Sequence, residues 1–445
     1  MSGGGHARER QTLFDRVQQA AVLALLFGLL YAATRAVPQA AGALSSVAGI
    51  GFLLLAGTLA SELLEPLRIP HLTAYILAGM LAGPYGLHLL DHETVTELSK
   101  TNSLALALIA LAGGAELRLV DLRKTARSLA WTTLFQSLFT FIFTTALFFA
   151  FTGFLPFARD LPFAERAAVS LLWGVVAVTR SPSATLGVLA QTRANGPVAQ
   201  ATLASVMVSD VVVLVVLAVT LTLVRPLIEP GATLSMTKLV GLGHELLGSV
   251  SLGTTLGLVL VVYLRFIGRQ LVLVLLLLGF GFTEVLKYLH FEPLLTFLVA
   301  GFIVQNLSSQ GEKFLRALDG VGAVVYVVFF AGAGAHLEIP ILRQLGVIAL
   351  ALCLGRVAFA WLANRAAARV AGDPPVLRRW GWVGLVSQAG IALGVGSVIE
   401  RNLPGYGAQV RALVIATVAI NEMLGPVLFK TVLDRTGESR TDDHA

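Results

Sequence analysis

The chain has 445 residues, of which 56% are hydrophobic and only 13% charged, and its 32 Lys and Arg against 26 Asp and Glu leave a net charge of +6. That balance excludes a soluble nucleic-acid binder, because the basic residues stand singly or in small groups between apolar runs, as topology determinants do in membrane proteins. The lone Cys353 can form no intrachain disulfide.

A membrane-crossing helix takes about 20 mainly apolar residues. On that basis fourteen segments are predicted, at 17–36, 43–65, 69–88, 102–120, 128–151, 163–190, 199–225, 239–264, 269–288, 292–307, 318–339, 344–370, 380–400 and 408–431. The first follows a short basic, glycine-containing stretch without a small-residue cleavage site and reads as an uncleaved helix. An even number of crossings puts both termini on one side. Twenty Lys and Arg fall on that side and ten on the other, with Arg180 and Arg356 left inside the membrane, so both termini are expected in the cytoplasm of a multi-pass inner (plasma) membrane protein. The expected organisation is a cytoplasmic N-terminus with an extra helix (1–42), one membrane domain (43–436) and a short cytoplasmic tail (437–445). The longest connection, 366–379, reads as a basic cytoplasmic loop.

Two places break the apolar pattern. The segment 163–190 is interrupted by Arg180, Ser181, Pro182 and Ser183, and the next one carries Asp210 near its middle. A charge at the centre of a membrane helix costs on the order of 3 kcal/mol, so Asp210 is a functional-site candidate. Proline removes a backbone donor, and the polar backbone freed by such a break lines the binding sites of transporters. Late in the chain Ser387-Gln-Ala-Gly390 interrupts a second segment, and the helix with Asn421 and Glu422 follows it. Paired breaks of this kind point to inverted repeats and a midplane site.

A membrane carboxylate tuned by burial and neighbouring charge can release a proton to one face and take up a metal ion in its place. Hard cations take oxygen ligands, and Ser209, Ser183 and the carbonyls around Pro182 are at hand. The alternative for Asp210 is a helix-packing carboxylate satisfied by arginine. Arg180 reads either as a counter-charge or as the neutraliser of a half-helix C-terminus. Arg356 holds its proton and so can balance charge without carrying the exchanged proton. His336 sits where it could tune a pH response or merely end a helix. Gln388 and Asn421 read as polar glue between helices.

The segments Leu72-Thr-Ala-Tyr-Ile-Leu-Ala-Gly-Met-Leu-Ala-Gly-Pro84, Leu111-Ala-Gly-Gly-Ala-Glu-Leu117, Arg180-Ser-Pro-Ser183 with Gly196-Pro197 and Ser209-Asp210, Phe329-Phe-Ala-Gly-Ala-Gly334, and Ser387-Gln-Ala-Gly390 with Asn421-Glu-Met-Leu-Gly-Pro-Val-Leu-Phe-Lys430 stand in one order along the chain. Together they resemble the cation/proton antiporter superfamily, specifically bacterial-type sodium/proton exchangers, from about residue 45 to 438. The resemblance implies an all-α polytopic membrane protein with the antiporter fold, inverted repeats and two broken helices that cross. It implies a core bundle beside a dimerisation panel, hence a homodimer in membrane lipid. Asp210 is implied as carrier of Na⁺ (or Li⁺ or K⁺) and H⁺, with Ser209, Ser183 and Ser181 beside it, Arg356 as basic partner and Gln388 in the second broken helix. The 17–36 helix looks like an N-terminal addition. The sequence departs from family members that carry a second acid or an amide before the ion-site aspartate, since Ser209 stands there. With one carboxylate, the expectation is one-for-one electroneutral exchange.

Three other classes compete with this reading. A channel would rest on Gly405-Tyr-Gly407, a single filter-like fragment without a preceding Thr-Val. A sodium-coupled organic-anion symporter would need a larger cavity. An intramembrane enzyme has no His-Glu-x-x-His, Gly-x-Ser-x-Gly or phosphate-binding loop to work with, so no cofactor is expected and ion gradients drive transport.

Overall fold

In a hydrocarbon solvent every backbone donor and acceptor must find a partner within the protein, and long apolar runs do this as helices. The computed structural model describes residues 13–36, 42–67, 69–99, 102–228, 236–289, 291, 293–337, 339–388, 390–403 and 405–439. Every regular element among them is helical. The predicted cytoplasmic stretch 1–12 and the end of the tail, 440–445, lie outside the described residues, as does Ala389 of the second break.

In chain order the helices are α1 (Leu13–Ala36), α2 (Gly42–Leu64), α3 (His71–Ala82), α4 (His92–Ser99), α5 (Asn102–Glu116), α6 (Leu119–Phe151), α7 (Phe163–Val178), α8 (Pro182–Thr192) and α9 (Pro197–Ile228). They continue with α10 (Met236–Phe266), α11 (Leu271–Leu277), α12 (Thr283–Tyr288), α13 (Pro293–Leu307), α14 (Gly311–Ala335), α15 (Ile339–Ala371), α16 (Pro375–Trp380), α17 (Gly390–Asn402) and α18 (Gly407–Thr436). A π-helical turn, Leu278–Phe282, joins α11 to α12. Each of the fourteen predicted apolar segments therefore falls on a helix or a broken pair of helices. Among the described residues, six helices are long and apolar enough to cross a membrane by length and composition alone. Large apolar side chains point outward from them: Val347 is 85% exposed and Leu247 72%. In water such a surface would be an aggregation liability; against lipid it is the expected face.

Two short helices escaped prediction. Helix α4 is begun by Asp91, whose Oδ1 accepts the Thr94 amide at 2.7 Å. That is a helix cap, and the bonds from Thr94 hold the Asp91 carboxyl below the usual carboxylate range. Helix α16 starts at Pro375 inside the predicted loop 366–379. Proline fits there because the first turn has no use for its missing N–H. The loop is tied down as well: Ser128 Oγ donates to Asp373 Oδ2 at 2.9 Å, and Arg378 Nε to the Asp373 carbonyl at 2.7 Å.

The chain divides into two compact units, Met1–Ser99 with Val327–His336, and Lys100–Tyr326 with Leu337–Ala445. The first holds α1 to α4 and the end of α14. Its core includes Phe52, Leu53, Ala82, Leu90 and Ala331, and Gln19 Nε2 reaches Glu62 Oε2 at 2.8 Å. The second holds Asp210, Arg180, Ser181, Ser183, Ser209, Arg356 and Gln388, while His336 falls in the first. One of the second unit's core clusters contains Phe148, Leu172, Trp173, Val213, Leu352 and Leu413, with the Phe148 and Trp173 rings stacked at 4.7 Å. Stacked aromatics of this kind add about 1 kcal/mol beyond the area they bury.

Candidate ion-binding site

Helix α7 stops at Val178 because Thr179 (ψ 148°) and Ser181 (ψ 101°) take extended conformations. Ser181 then caps α8, its Oγ accepting the Ala184 amide at 3.1 Å, and Pro182 takes the first helical position. The break is thus a stop followed by a well-made start. The proline does not sit inside a helix, so it costs no helical hydrogen bond.

A stop in mid-membrane leaves carbonyls without helical partners. Arg356 of α15 supplies donors to both breaks at once. Its Nε donates to Ala177 O at 2.8 Å, Nη2 to Thr179 O at 2.8 Å and to Leu385 O at 3.2 Å, and Nη1 to Val386 O at 2.8 Å. Gln388 adds Nε2 to Val176 O at 2.7 Å and to Thr179 Oγ1 at 2.8 Å, and Asn421 of α18 holds Gln388 Oε1 at 2.7 Å. A guanidinium offers five donors in a rigid fork, which suits several converging carbonyls better than an ammonium does. Positive charge there also suits the negative ends of two half-helices. The two breaks are therefore fastened to each other through α15 and α18. Arg356, Gln388, Asn421, Thr417 and Cys353 surround this junction.

Gly425, one turn beyond Asn421, lets α18 come against the second break. A Cβ there would lie 2.2 Å from Ser387 Oγ and 2.8 Å from the Ser387 backbone. Gly425→Ala is expected to destabilise the protein by about 1–3 kcal/mol through forced displacement of that segment, measured as loss of thermal stability in detergent; a variant as stable as wild type would show that α18 can withdraw freely.

Asp210 lies elsewhere in the same unit. With Arg180, Ser181, Pro182 and Ser183 it lines a cavity of ≈ 30 Å³, whose wall also includes Ile109 and Ala110 of α5, Met207 of α9, Leu294 and Leu298 of α13 and Ile391 of α17. One water needs about 10–15 Å³ of such space, so about two waters or a single small ion fit. Ser181 Oγ and Ser183 Oγ stand 3.1 Å apart. Arg180 is buried, and so are both serines.

The structure thus brings Asp210, Arg180, Ser181 and Ser183 to one cavity. Ser209 is absent from its lining, and its Oγ donates to Val206 O of its own helix at 2.6 Å. Arg356 and Gln388 belong to the junction between the breaks, and the carbonyls of Val176, Ala177, Thr179, Leu385 and Val386 are already engaged there. Sequence reading did not foresee Thr179 as an acceptor, nor that Leu294, Leu298 and Ile391 line the cavity. Those three carry no chemical mark that separates them from any other lipid-soluble side chain.

The helix bearing Asp210 is fixed at its start by the C-terminal segment. Glu438 accepts the Val198 amide at 2.9 Å through Oε1 and the Ala199 amide at 2.8 Å through Oε2, while the Asn195 amide donates to Glu438 O. A carboxylate on the first amides of a helix satisfies orphan donors and the positive end of the dipole. Gly196 makes the room, since a Cβ there would fall 2.4 Å from Glu438 Cδ. Glu438→Ala is expected to cost about 1–2 kcal/mol, seen as a lower melting temperature together with faster proteolysis of the α8–α9 connection; unchanged values would make the contact dispensable.

Residues 50–434 match the family model described as sodium/hydrogen exchanger, transmembrane. In fold the chain is similar to the sodium proton antiporter MjNhaP1 from Methanocaldococcus jannaschii. One structure of that protein, at pH 8, is 16% identical, with a TM-score of 0.68 over 88% of this chain and 97% of that one. A second, from electron microscopy, is 18% identical, with a TM-score of 0.70 over 89% of this chain and 99% of that one. No curated protein matches the chain in sequence.

Proposed function

Because the chain belongs to the sodium/hydrogen exchanger family, we propose that it exchanges a monovalent cation, Na⁺ foremost, for protons across the membrane, with Asp210 as the carboxylate that both ions share. The observation that supports this most is the composition of the small cavity: one carboxylate, one guanidinium and two hydroxyls inside an apolar wall. Na⁺ or Li⁺ without most of its water fits such a space and finds oxygen ligands in Asp210, Ser181 and Ser183.

Competition does the coupling. A proton and a cation cannot both neutralise one carboxylate, so release of either at one face prepares the site for the other. The bound cation's charge is opposed by Arg180, which keeps binding weak enough for release. On this reading the chain crosses the membrane fourteen times with both termini cytoplasmic. The α7–α9 and second-break helices would form oppositely oriented repeats that move as a body against a panel joining two copies of the chain, exposing Asp210 to each face in turn.

The test is proton movement in proteoliposomes carrying an internal pH dye, with Na⁺, Li⁺, K⁺ and an impermeant cation added in turn. Cation-triggered proton efflux names the substrate ion. No response to any of them between about pH 6 and 9, the range that a tuned carboxylate can span, would overturn the proposal.

A further inference from the structure

Asp210 is not the only carboxylate inside the second unit. Glu422 of α18 is only 6% exposed, and its Oε1 has no hydrogen-bond partner among the described residues. Its neighbours in sequence are occupied with the second break: Asn421 holds Gln388, and Gly425, three residues on, lies against Ser387. Helix α18 also packs on α8, the half-helix that begins with Ser181 and Pro182. An acid kept at membrane depth without a partner carries a cost of several kcal/mol if ionised, and a helix-packing role gives no return for it.

The fixed charges of the interior point the same way. Among the described residues of this unit, the buried charged side chains are Arg180, Arg356, Asp373, Glu422 and Glu438. Asp373 and Glu438 sit at helix ends, on Ser128 and on the α9 amides. Two guanidiniums remain, and they do not give up their protons. Asp210 alone can balance one of them. If Glu422 is deprotonated as well as Asp210, the two acids and the two guanidiniums sum to zero charge.

We propose that Glu422 is a second ion-carrying carboxylate, a proton site that works with Asp210 and makes the exchange two protons for one monovalent cation. This rests on the antiport reading above and replaces the one-for-one exchange expected from a single acid. On one limb both carboxyls lose their O–H protons to the same face, and one cation binds at Asp210. On the other the cation leaves, and each carboxylate takes a proton from the opposite face. One net positive charge then crosses with the protons in every cycle.

The experiment is uptake of labelled Na⁺ or Li⁺ into proteoliposomes at equal pH on both sides, with a potassium gradient and valinomycin setting the membrane potential. If one net charge moves per cycle, a tenfold outward potassium gradient drives the internal cation to about one tenth of its external concentration, because each elementary charge is weighted by the full potential. Glu422→Gln, which imitates the protonated acid in shape, is expected to exchange one-for-one and hold no cation gradient under the same potential. Where Glu422→Gln is inactive, Glu422→Asp decides: exchange with the wild-type gradient supports the proposal, and loss of exchange overturns it. Wild-type exchange that ignores the potential overturns it, as does a Glu422→Gln protein that keeps the wild-type gradient. Absence of any cation-driven proton movement in wild type is a separate result, which removes the antiport reading and this proposal with it.

Discussion

Asp210→Asn is expected to abolish cation-dependent proton movement while leaving a folded, membrane-inserted protein. Asparagine keeps the shape and polarity of the side chain and loses both properties that exchange requires, a proton to release and a negative charge for the cation. Inserting it is also easier, because a central charge costs on the order of 3 kcal/mol more than a neutral residue. Thermal stability in detergent should therefore be at or above the wild-type value. Transport should fall to the level of empty liposomes for every cation tested. The cavity walls sharpen the expectation: Ile109, Leu294, Leu298 and Ile391 have no ionisable group to substitute for the lost acid, and Ser181 and Ser183 offer only neutral oxygens. Normal exchange by a well-folded Asp210→Asn protein would shift the ion site to another residue, with Glu422 the first to test.

Much of this arrangement is legible in the sequence because lipid punishes exceptions. Arg180, Asp210 and Arg356 stand out on composition alone, and the breaks at 180–183 and 387–390 interrupt otherwise continuous apolar runs. The helix positions follow for the same reason, from length and apolarity. What sequence cannot supply is which exceptions meet. Arg356 and Arg180 look alike as lone basic residues, yet one spends its donors on four carbonyls and the other lines the cavity of Asp210. Ser209 lies next to Asp210 in the chain, but on a helix adjacent residues point about 100° apart, and its hydroxyl turns back to Val206. Ser181 and Ser183 are distant from Asp210 in sequence and share its cavity. Glu422 was legible as a residue and not as a role, because burial without a partner is a property of packing. The small amphipathic helix α4 was missed because eight residues are too few for a periodic signal, although Asp91 and Thr94 carried its cap.

Arg356 is expected to give the largest loss of stability of any single replacement in the second unit. Arg356→Ala removes the donors of four buried carbonyls, Ala177, Thr179, Leu385 and Val386, and leaves both half-helix ends without a positive charge. An unsatisfied buried acceptor costs about 1–3 kcal/mol. Gln388 still serves Val176 and the Thr179 hydroxyl, and water can enter the space left behind, so the net loss is about 3–5 kcal/mol, comparable to breaking a buried ion pair. For a chain of this size that corresponds to a fall in melting temperature of about 3–5 °C. Arg356→Lys should recover only part of it, because an ammonium at a single point cannot span carbonyls on two separate segments. Measured beside transport, the pair separates two roles for this residue. If Arg356→Lys loses stability and exchange in proportion, the guanidinium acts as the fastener between the breaks, and Arg180 is left as the basic neighbour of the ion. If Arg356→Ala melts with wild type but no longer exchanges ions, Arg356 acts on Asp210 itself, and the junction of the two breaks is held by Gln388 and Asn421 alone.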